Sequence, residues 1–210
     1  MERKPFTFTM SEKINLPPSL MVELHSILEP IDLGELFPKP QSLEVELGCG
    51  DASFLVENAR QHPDRNFIGV ERLLGRLQKL DKKGRRIGLT NTRGVRIESA
   101  YFLQYLLPPH TATALHIYFP DPWPKKKHRR HRLINKAFPA LARTVLVPGG
   151  TVFLRTDDGD YFQQMTEVFG AADYFQKTQT LAALAQITTD FERDFNAQGI
   201  PTLRAAYQLL

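Results

Sequence analysis

The chain has 210 residues, 42% of them hydrophobic, and this composition suits one globular domain with its own core. It contains no apolar run of about 20 residues, and its first ten residues lack an apolar signal core, so we expect a cytoplasmic protein without membrane contact. Its single cysteine, Cys49, excludes an internal disulfide, and we expect no cysteine-based metal site. The net charge is +4, but Lys125–Arg132 alone contributes +6, so the positive charge is concentrated in one stretch.

The predicted elements alternate between strands and helices after a proline-rich start with one helical candidate, Ser19–Leu28. Apolar, β-rich runs predict strands at Leu43–Leu47, Phe67–Glu71, Gly94–Glu98, Ala114–Phe119 and Thr151–Arg155, with two more in the tail at Tyr174–Thr178 and Leu203–Leu209. Helical patterns cover Phe54–Gln61, Leu73–Arg86, Arg132–Thr144, Tyr161–Phe169 and Phe191–Asn196. This order predicts an α/β fold whose mostly parallel, seven-stranded sheet carries helices on both faces and an antiparallel C-terminal strand.

The first strand leads into the sequence EVELGCGDASFL, which is typical of a turn that approaches a ligand. Gly48 and Gly50 allow a tight turn and bring the backbone close to a ligand. The dinucleotide fingerprint requires Gly or Ala where this chain has Ser53, and the carboxylate of Asp51 would repel a pyrophosphate. The turn therefore disfavours NAD and FAD.

Two acids lie at the ends of the first two strands, where ligands of parallel sheets bind. Glu71 follows Gly50 by 21 residues, a spacing that suits hydrogen bonds to ribose hydroxyls. S-adenosylmethionine is a nucleoside ligand without a pyrophosphate, and its ammonium group suits the carboxylate of Glu46. The alternative is that Glu46 and Glu71 are ordinary surface acids.

The third strand ends in IESAYFL, where Glu98 or Ser99 is a candidate partner of an adenine edge. Either residue could equally cap the following helix, because Ser is a favoured N-cap residue.

The fourth strand leads into FPDPWPKKKHRRHRL, residues 119–133. Its prolines restrict the backbone and hold Asp121 in a rigid turn, and Trp123 offers a flat face for stacking a base. The basic residues that follow indicate a polyanionic partner, with nucleic acid first. The alternatives are a tryptophan that fills the core and a basic stretch that is a solvated loop or a targeting signal.

The motifs VELGCG, FIGVE, FPDPWPKKKHRRHRL, LRTD and TDFE occur here in an order and spacing that closely resemble the bacterial tRNA (guanine-N7)-methyltransferases. The resemblance covers about Leu43 to the C-terminus and implies a Rossmann-like class I methyltransferase fold with S-adenosylmethionine as donor. It implies transfer to a guanosine of the tRNA variable loop, with no obligatory protein partner and either a monomer or a homodimer. The chain then divides into an extension, 1–40, which either packs on the domain or orders only on binding RNA, and a methyltransferase domain, 41–210.

The resemblance also implies roles for single residues. Asp121 is the catalytic candidate, and the donor-binding candidates are Glu46, Gly48, Gly50, Glu71, Ser99 and Asp121. The substrate-binding candidates are Lys125, Asp157, Thr189, Asp190, Phe191 and Glu192. The chain departs from the family in three places: it has Asp51-Ala52 instead of Lys-Gly, Ser99 instead of Asp or Asn, and Asp190 instead of Lys.

Guanine N7 carries a free lone pair, so its methylation needs no general base. We therefore expect Asp121 to orient the guanine and to favour the positive charge that develops on it. Because adenine also has an N7, selectivity requires carboxylates that accept from guanine N1–H and N2–H₂, and the candidates are Asp157, Glu192 and Asp121. The basic stretch, Lys125–Arg132, is expected to extend outward and hold phosphates.

A second basic stripe has helical spacing and consists of Arg72, Arg76, Lys79, Lys83 and Arg86. It is either a solvated helix face or a further RNA contact. Two alternative functions remain open at this point. One is methylation of an exocyclic amine of a nucleic acid, and the other is a non-catalytic RNA-binding module on a methyltransferase fold.

Overall fold

The structure, a computed structural model, describes residues 18–210, and these residues contain one sheet of eight strands. The strands are β1 (Met21–Val22), β2 (Ser42–Leu47), β3 (Arg65–Val70), β4 (Thr92–Val95), β5 (Ala112–Tyr118), β6 (Leu146–Thr156), β7 (Phe175–Thr178) and β8 (Leu203–Leu209). Their order in the sheet is β1-β4-β3-β2-β5-β6-β8-β7. All pairs are parallel except those of β8, which runs antiparallel to β6 and β7. The mostly parallel sheet with an antiparallel C-terminal strand is confirmed, with eight strands instead of seven.

The additional strand is β1, which lies where the sequence predicted a helix over Ser19–Leu28. That prediction is wrong. β1 pairs with β4 at the sheet edge, the amide of Gly94 donates to the Leu20 carbonyl over 2.8 Å, and Leu20 is only 3% exposed. Burial of Leu20 against a distant part of the chain outweighs the local helical pattern, since propensity is a weak prior.

The described part of the extension, residues 18–40, packs against the domain, because Leu20 and Phe37 both belong to the buried core. The predictions for its first 17 residues, including the stretch MERKPFTFTM, lie outside the described residues. Within residues 18–210, no helix combines the length and the apolar character needed to cross a bilayer.

Helices connect most of the strands. They are α1 (Leu33–Leu36), α2 (Ser53–Gln61), α3 (Leu74–Arg86), α4 (Ser99–Tyr101), α5 (Phe138–Val145), α6 (Gly159–Gly170), α7 (Ala182–Gln186) and α8 (Asp190–Ala197). A π-helical turn, Phe102–Leu106, continues α4, and a 3-10 helix covers Lys126–His131. These bounds confirm the predicted helices at α2, α3, α6 and α8 to within about two residues.

The helix predicted over Arg132–Thr144 is shorter than expected, because α5 begins only at Phe138. The side chain of Asn135 accepts from the amide of Ala137 over 2.9 Å and forms a turn before the helix. Pro139 lies in the first turn of α5, where a missing backbone N–H costs nothing.

The two faces of the sheet carry separate apolar layers, and neighbouring residues of β3 show the alternation. Phe67 packs with α2 and α3, whereas Ile68 packs with the π-helical turn, α5 and α6. β2 lies at the centre, between β3 and β5, so the crossovers on its two sides run in opposite directions. A crevice forms beyond the carboxyl ends of strands at such a switch point, and the candidate site lies there.

Candidate active site

The turn between β2 and α2 bends sharply through three residues with left-handed backbone. Gly48, Gly50 and Ala52 have φ angles of 74°, 55° and 59°. Glycine adopts this conformation without a steric penalty, which explains both glycines of the motif. The amides of Gly48 and Cys49 donate to the carbonyl of Val70 over 2.8 and 3.0 Å, so the turn is fastened to the end of β3.

Glu46 lies beneath this turn and is almost entirely buried, with 3% of its surface exposed. Its Oε2 has no hydrogen-bond partner among the described residues, although the side chain lines a cleft. Burial raises the pKa of Glu46 to about 8, against the opposing effect of the Arg155 charge. A buried carboxyl group with an unpaired oxygen would gain a partner from a positively charged ligand.

Glu71 lies between the turn after β2 and the turn after β3 and is hydrogen-bonded to both. Its Oε2 accepts from the amide of Gly50 over 3.1 Å, and its Oε1 accepts from the amide of Leu73 over 2.8 Å. The side chain is therefore fixed in orientation at the mouth of the site, and each oxygen keeps a second lone pair for a ligand hydroxyl.

The choice between Glu98 and Ser99 as helix cap is settled by their hydrogen bonds. The carboxylate of Glu98 accepts from the amides of Ala100 and Tyr101 over 3.0 and 2.7 Å, so Glu98 caps α4. Ser99 is the first helical residue and lines the same cleft as Glu71.

Two adjoining clefts lie along the carboxyl ends of the strands. The first cleft, about 250 Å³, is lined by Glu71, Glu98 and Ser99, and the second, about 260 Å³, is lined by Glu46, Asp157 and Thr189. Both clefts share six residues in their walls, namely Gly48, Arg76, Tyr118, Phe119, Pro120 and Asp121. A ligand that reaches from Glu71 to Glu46 must pass this shared wall.

Asp121 lies at the junction of the clefts on a strained turn. Phe119 and Trp123, on either side of it, have φ angles of 51° and 44°, which non-glycine residues rarely adopt. The amide of Phe119 donates to the Arg155 carbonyl over 2.8 Å, which ties one end of the turn to β6. Asp121 itself is exposed toward both clefts.

The other end of the turn is held by Arg132. The sequence predicted that this residue extends outward and holds phosphates, and that prediction is wrong. Its Nε donates to the Pro122 carbonyl over 2.7 Å, and its Nη2 lies 2.6 Å from Asp160 Oδ2. The guanidinium also lies 4.7 Å from the centre of the Tyr161 ring and is almost completely buried. Asp160 pairs with Arg129 as well, over 2.9 Å. The basic residues that remain exposed are Lys125, Lys126, Lys127 and Arg130.

Trp123 does not fill the core, because 36% of its surface is exposed. Its ring contacts those of His131 and His128, with centroids 5.2 and 6.0 Å away, and it forms part of the wall of the first cleft.

Curated relatives match most of the chain. A tRNA (guanine-N(7)-)-methyltransferase of Geobacter metallireducens is 32% identical over 72% of this chain and 72% of its own length. Proteins of the same name from Thermotoga maritima and Chromohalobacter salexigens are 33% and 38% identical over 82% and 70% of this chain. A family model described as "Putative methyltransferase" matches residues 40–205. The chain belongs to the tRNA (guanine-N(7)-)-methyltransferase family.

The chain spans only part of the length of some of these relatives. It spans 56% of the Thermotoga maritima protein and 59% of the Chromohalobacter salexigens protein, which is less than two thirds of each.

Solved structures support the class I methyltransferase fold. The crystal structure of the 16S rRNA methyltransferase KamB aligns with a TM-score of 0.63 and 15% identity over 86% of this chain and 94% of that one. A 30S ribosomal A1408 methyltransferase from an uncultured bacterium aligns with a TM-score of 0.60 and 17% identity over 87% and 96%. At such low identities the likeness concerns the fold alone.

The six substrate-binding candidates taken from the family resemblance fall into two groups. Asp157, Thr189 and Phe191 line the second cleft, whereas Lys125, Asp190 and Glu192 do not. Lys125 is exposed just beyond the turn.

Glu192 and Asp190 make ion pairs elsewhere. Glu192 is fully buried, with one oxygen 2.9 Å from Arg155 Nη1 and the other paired with Arg204, so in this arrangement it presents no oxygen to a ligand. Asp190 pairs with Arg193 and lies 3.9 Å from Lys83 Nζ.

The second basic stripe, along α3 and the residues just before it, also contains residues that line the clefts and a residue that makes an ion pair elsewhere. Arg76 of α3 lines both clefts, and Arg72, which precedes α3, lines the first, so this end of the stripe lies in the candidate active site. Lys83 Nζ lies 2.7 Å from Asp51 Oδ2 and neutralises it. The helical spacing in the sequence gave a signal for Arg76, but nothing in it distinguished Arg76 from Lys83.

Proposed function

We propose that this chain transfers a methyl group from S-adenosylmethionine to N7 of a guanosine in the variable loop of tRNA. The observation that carries the proposal is the position of Asp121 on a strained turn, at the junction of two clefts with different linings. Membership of the family whose curated relatives carry this activity in their names supports it.

The residues present fit the donor. Fixed Glu71 suits the ribose hydroxyls, Ser99 suits the adenine edge, and the unpaired Oε2 of Glu46 suits an ammonium group. The donor, when bound, supplies an electrophilic methyl group on a sulfonium. Glu71 and Ser99 line the first cleft and Glu46 lines the second, so a donor held by all three extends along the shared wall beside Asp121.

Asp121 acts as an orienting and electrostatic residue. Guanine N7 has no proton to remove, so the main requirements are an in-line approach at about 3–3.5 Å and stabilisation of the charge that develops on the purine. A carboxylate held on a rigid turn supplies that stabilisation without reorganising during the reaction. Arg132 is a positioning residue in this scheme, because its hydrogen bond to the Pro122 carbonyl holds the turn.

Guanine is selected by its donor edge. Asp157 lines the second cleft and is the candidate to accept from N1–H and N2–H₂, an edge that adenine lacks. Glu192, the other candidate, is already paired with two arginines. Reading a base that is turned out of its stack through such hydrogen bonds is a common strategy of base-modifying enzymes.

The exposed part of the basic stretch suits the tRNA backbone. Lys125, Lys126, Lys127 and Arg130 lie beside the turn that carries Asp121 and would neutralise phosphates near the target base. We propose tRNA as the macromolecular partner, with no obligatory protein partner and with the protein acting as a monomer or a homodimer.

The test is methyl transfer from a labelled donor to unmodified tRNA, followed by mapping of the methyl group by mass spectrometry. We expect 7-methylguanosine from the wild type and a decrease of roughly 10²-fold in kcat for Asp121→Asn, which removes the charge but keeps the shape. Asp173→Asn, an exposed acid that lines neither cleft, is the matched control and should leave kcat unchanged.

Full activity of Asp121→Asn would contradict the role of Asp121. A methyl group on an exocyclic amine, or no transfer by the wild type, would contradict the proposed function itself.

A further inference from the structure

We propose that Phe119, Phe191 and Phe195 form an aromatic wall on which the target guanine stacks in the second cleft. This inference rests on the proposed function and names the residues that hold the base. The rings of Phe119 and Phe195 have centroids 6.5 Å apart with an interplanar angle of 24°, and those of Phe195 and Phe191 are 6.4 Å apart at 23°. Three nearly parallel rings from two distant segments of the chain thus follow one another along the cleft.

All three rings line the second cleft. Phe191 and Phe195 are four residues apart on α8, so they project from the same face of that helix. Phe191 is 49% exposed and belongs to none of the buried apolar clusters, so core packing does not account for its position. An exposed aromatic face at the edge of a cleft suits a flat, apolar ligand surface.

Polar groups around the wall suit the edge of a nucleobase. Asp157, Thr189 and Asp121 line the same cleft and offer oxygen atoms next to the aromatic surface. A flat face combined with acceptors at its rim is the arrangement that reads a purine carrying N–H donors. Trp123, the stacking candidate from the sequence, lines the first cleft and is absent from the lining of the second, so its ring faces the donor side.

The wall is anchored at both ends, as a stacking surface requires. The amide of Phe119 donates to the Arg155 carbonyl, and Nη1 of Arg155 pairs with Glu192 of α8. The amide of Asp190, at the start of α8, donates to Ser53 Oγ over 3.2 Å. Arg155 therefore connects the segment of Phe119 directly to the helix that carries Phe191 and Phe195.

Four substitutions at Phe195 distinguish stacking from simple packing. Stacking predicts that Phe195→Tyr and Phe195→Trp keep kcat/KM for tRNA within about threefold, and that Phe195→Leu and Phe195→Ala lower it by roughly ten- to a hundredfold. A packing role predicts instead that Leu, an apolar residue of similar size, works as well as Phe. The affinity for S-adenosylhomocysteine should not change in any variant. Tyr105→Ala is the matched control, because Tyr105 is an exposed aromatic residue that lines neither cleft.

A second readout does not depend on activity. The probe is a tRNA with thienoguanosine, a fluorescent guanosine analogue that keeps N1–H and N2–H₂, at the methylated position, bound together with S-adenosylhomocysteine. Its fluorescence should be quenched by stacking in the wild type and retained in Phe195→Ala. Wild-type kinetics and quenching in both Phe195→Leu and Phe195→Ala would overturn the wall while the proposed function stands. Quenching that depends on Phe195, in a protein that methylates no N7, would overturn the proposed function and leave the wall.

Discussion

Replacing Glu46 with Gln should abolish a proton release that accompanies donor binding. In the free protein the side chain is buried, and this burial raises its pKa to about 8, so it is protonated at pH 6.5. An ammonium group beside the unpaired Oε2 favours the ionised form. Binding must then displace nearly one proton per donor molecule.

The expected change in affinity follows from the same pKa. The ionised fraction of Glu46 rises about tenfold between pH 6 and pH 7, which corresponds to about 1.4 kcal/mol of binding free energy. The affinity for S-adenosylhomocysteine should therefore rise about tenfold across this interval in the wild type. The ligand's own amino group stays mainly protonated there, since α-amino groups have pKa values of about 7.7–8.0. In Glu46→Gln the affinity should be lower and independent of pH over the same range.

Titration calorimetry at pH 6.5, in two buffers with different ionisation enthalpies, counts the protons directly. The wild type should release about one proton and Glu46→Gln about none. Binding by the wild type without proton release would refute the assignment of the ammonium group to Glu46, and so would an equal proton release by the variant.

Four further substitutions, in three experiments, probe the contacts around the site. Arg132→Lys keeps the charge but cannot make all three hydrogen bonds, so kcat should fall about tenfold while donor affinity, measured by calorimetry, stays the same. Glu192→Gln leaves two arginines without their anion and should lower the free energy of unfolding in urea by about 3–5 kcal/mol. Lys83→Met and Asp51→Asn should be non-additive in unfolding experiments by about 0.2–1 kcal/mol, because the two residues form a partly exposed ion pair.

Most of the sheet was predictable because its central strands are buried, apolar and bounded by turn residues. β8 has the predicted bounds, Leu203–Leu209, and the ends of β2 and β3 brought Glu46 and Glu71 to one edge, as parallel strands require. The failures depend on partners distant in the sequence. β1 forms because it pairs with β4 at the edge of the sheet, and the local sequence around β1 contains no signal for that pairing.

Charged side chains were the hardest to interpret. Arg132 belongs to a stretch that looks uniformly basic, but Asp160, 28 residues later, draws it inward. Glu192 lies in a motif that suggests substrate contact, although Arg155 and Arg204 enclose it. The direction in which such a side chain points is decided by its tertiary partner, which sequence spacing does not contain.

One lysine compensates two departures from the family pattern. Asp51 and Asp190 each replace a lysine that the family usually has, and Lys83 lies 2.7 Å from the first and 3.9 Å from the second. One lysine on α3 thus links the glycine turn to the start of α8, where two acids facing each other would repel. Restoring only one of the family's lysines, as in Asp51→Lys, would oppose it to Lys83 and weaken that link.

The ion pairs of the basic stretch explain how Asp121 can lie beside it without being neutralised. Asp160 pairs with the buried Arg132 and with the partly exposed Arg129, and the remaining lysines and arginine of the stretch face solvent. Among the ion pairs of residues 18–210, none joins Asp121 to this stretch. Under the proposed function, the Asp121 carboxylate can therefore stabilise the positive charge that forms on the guanine without competition from a paired lysine or arginine.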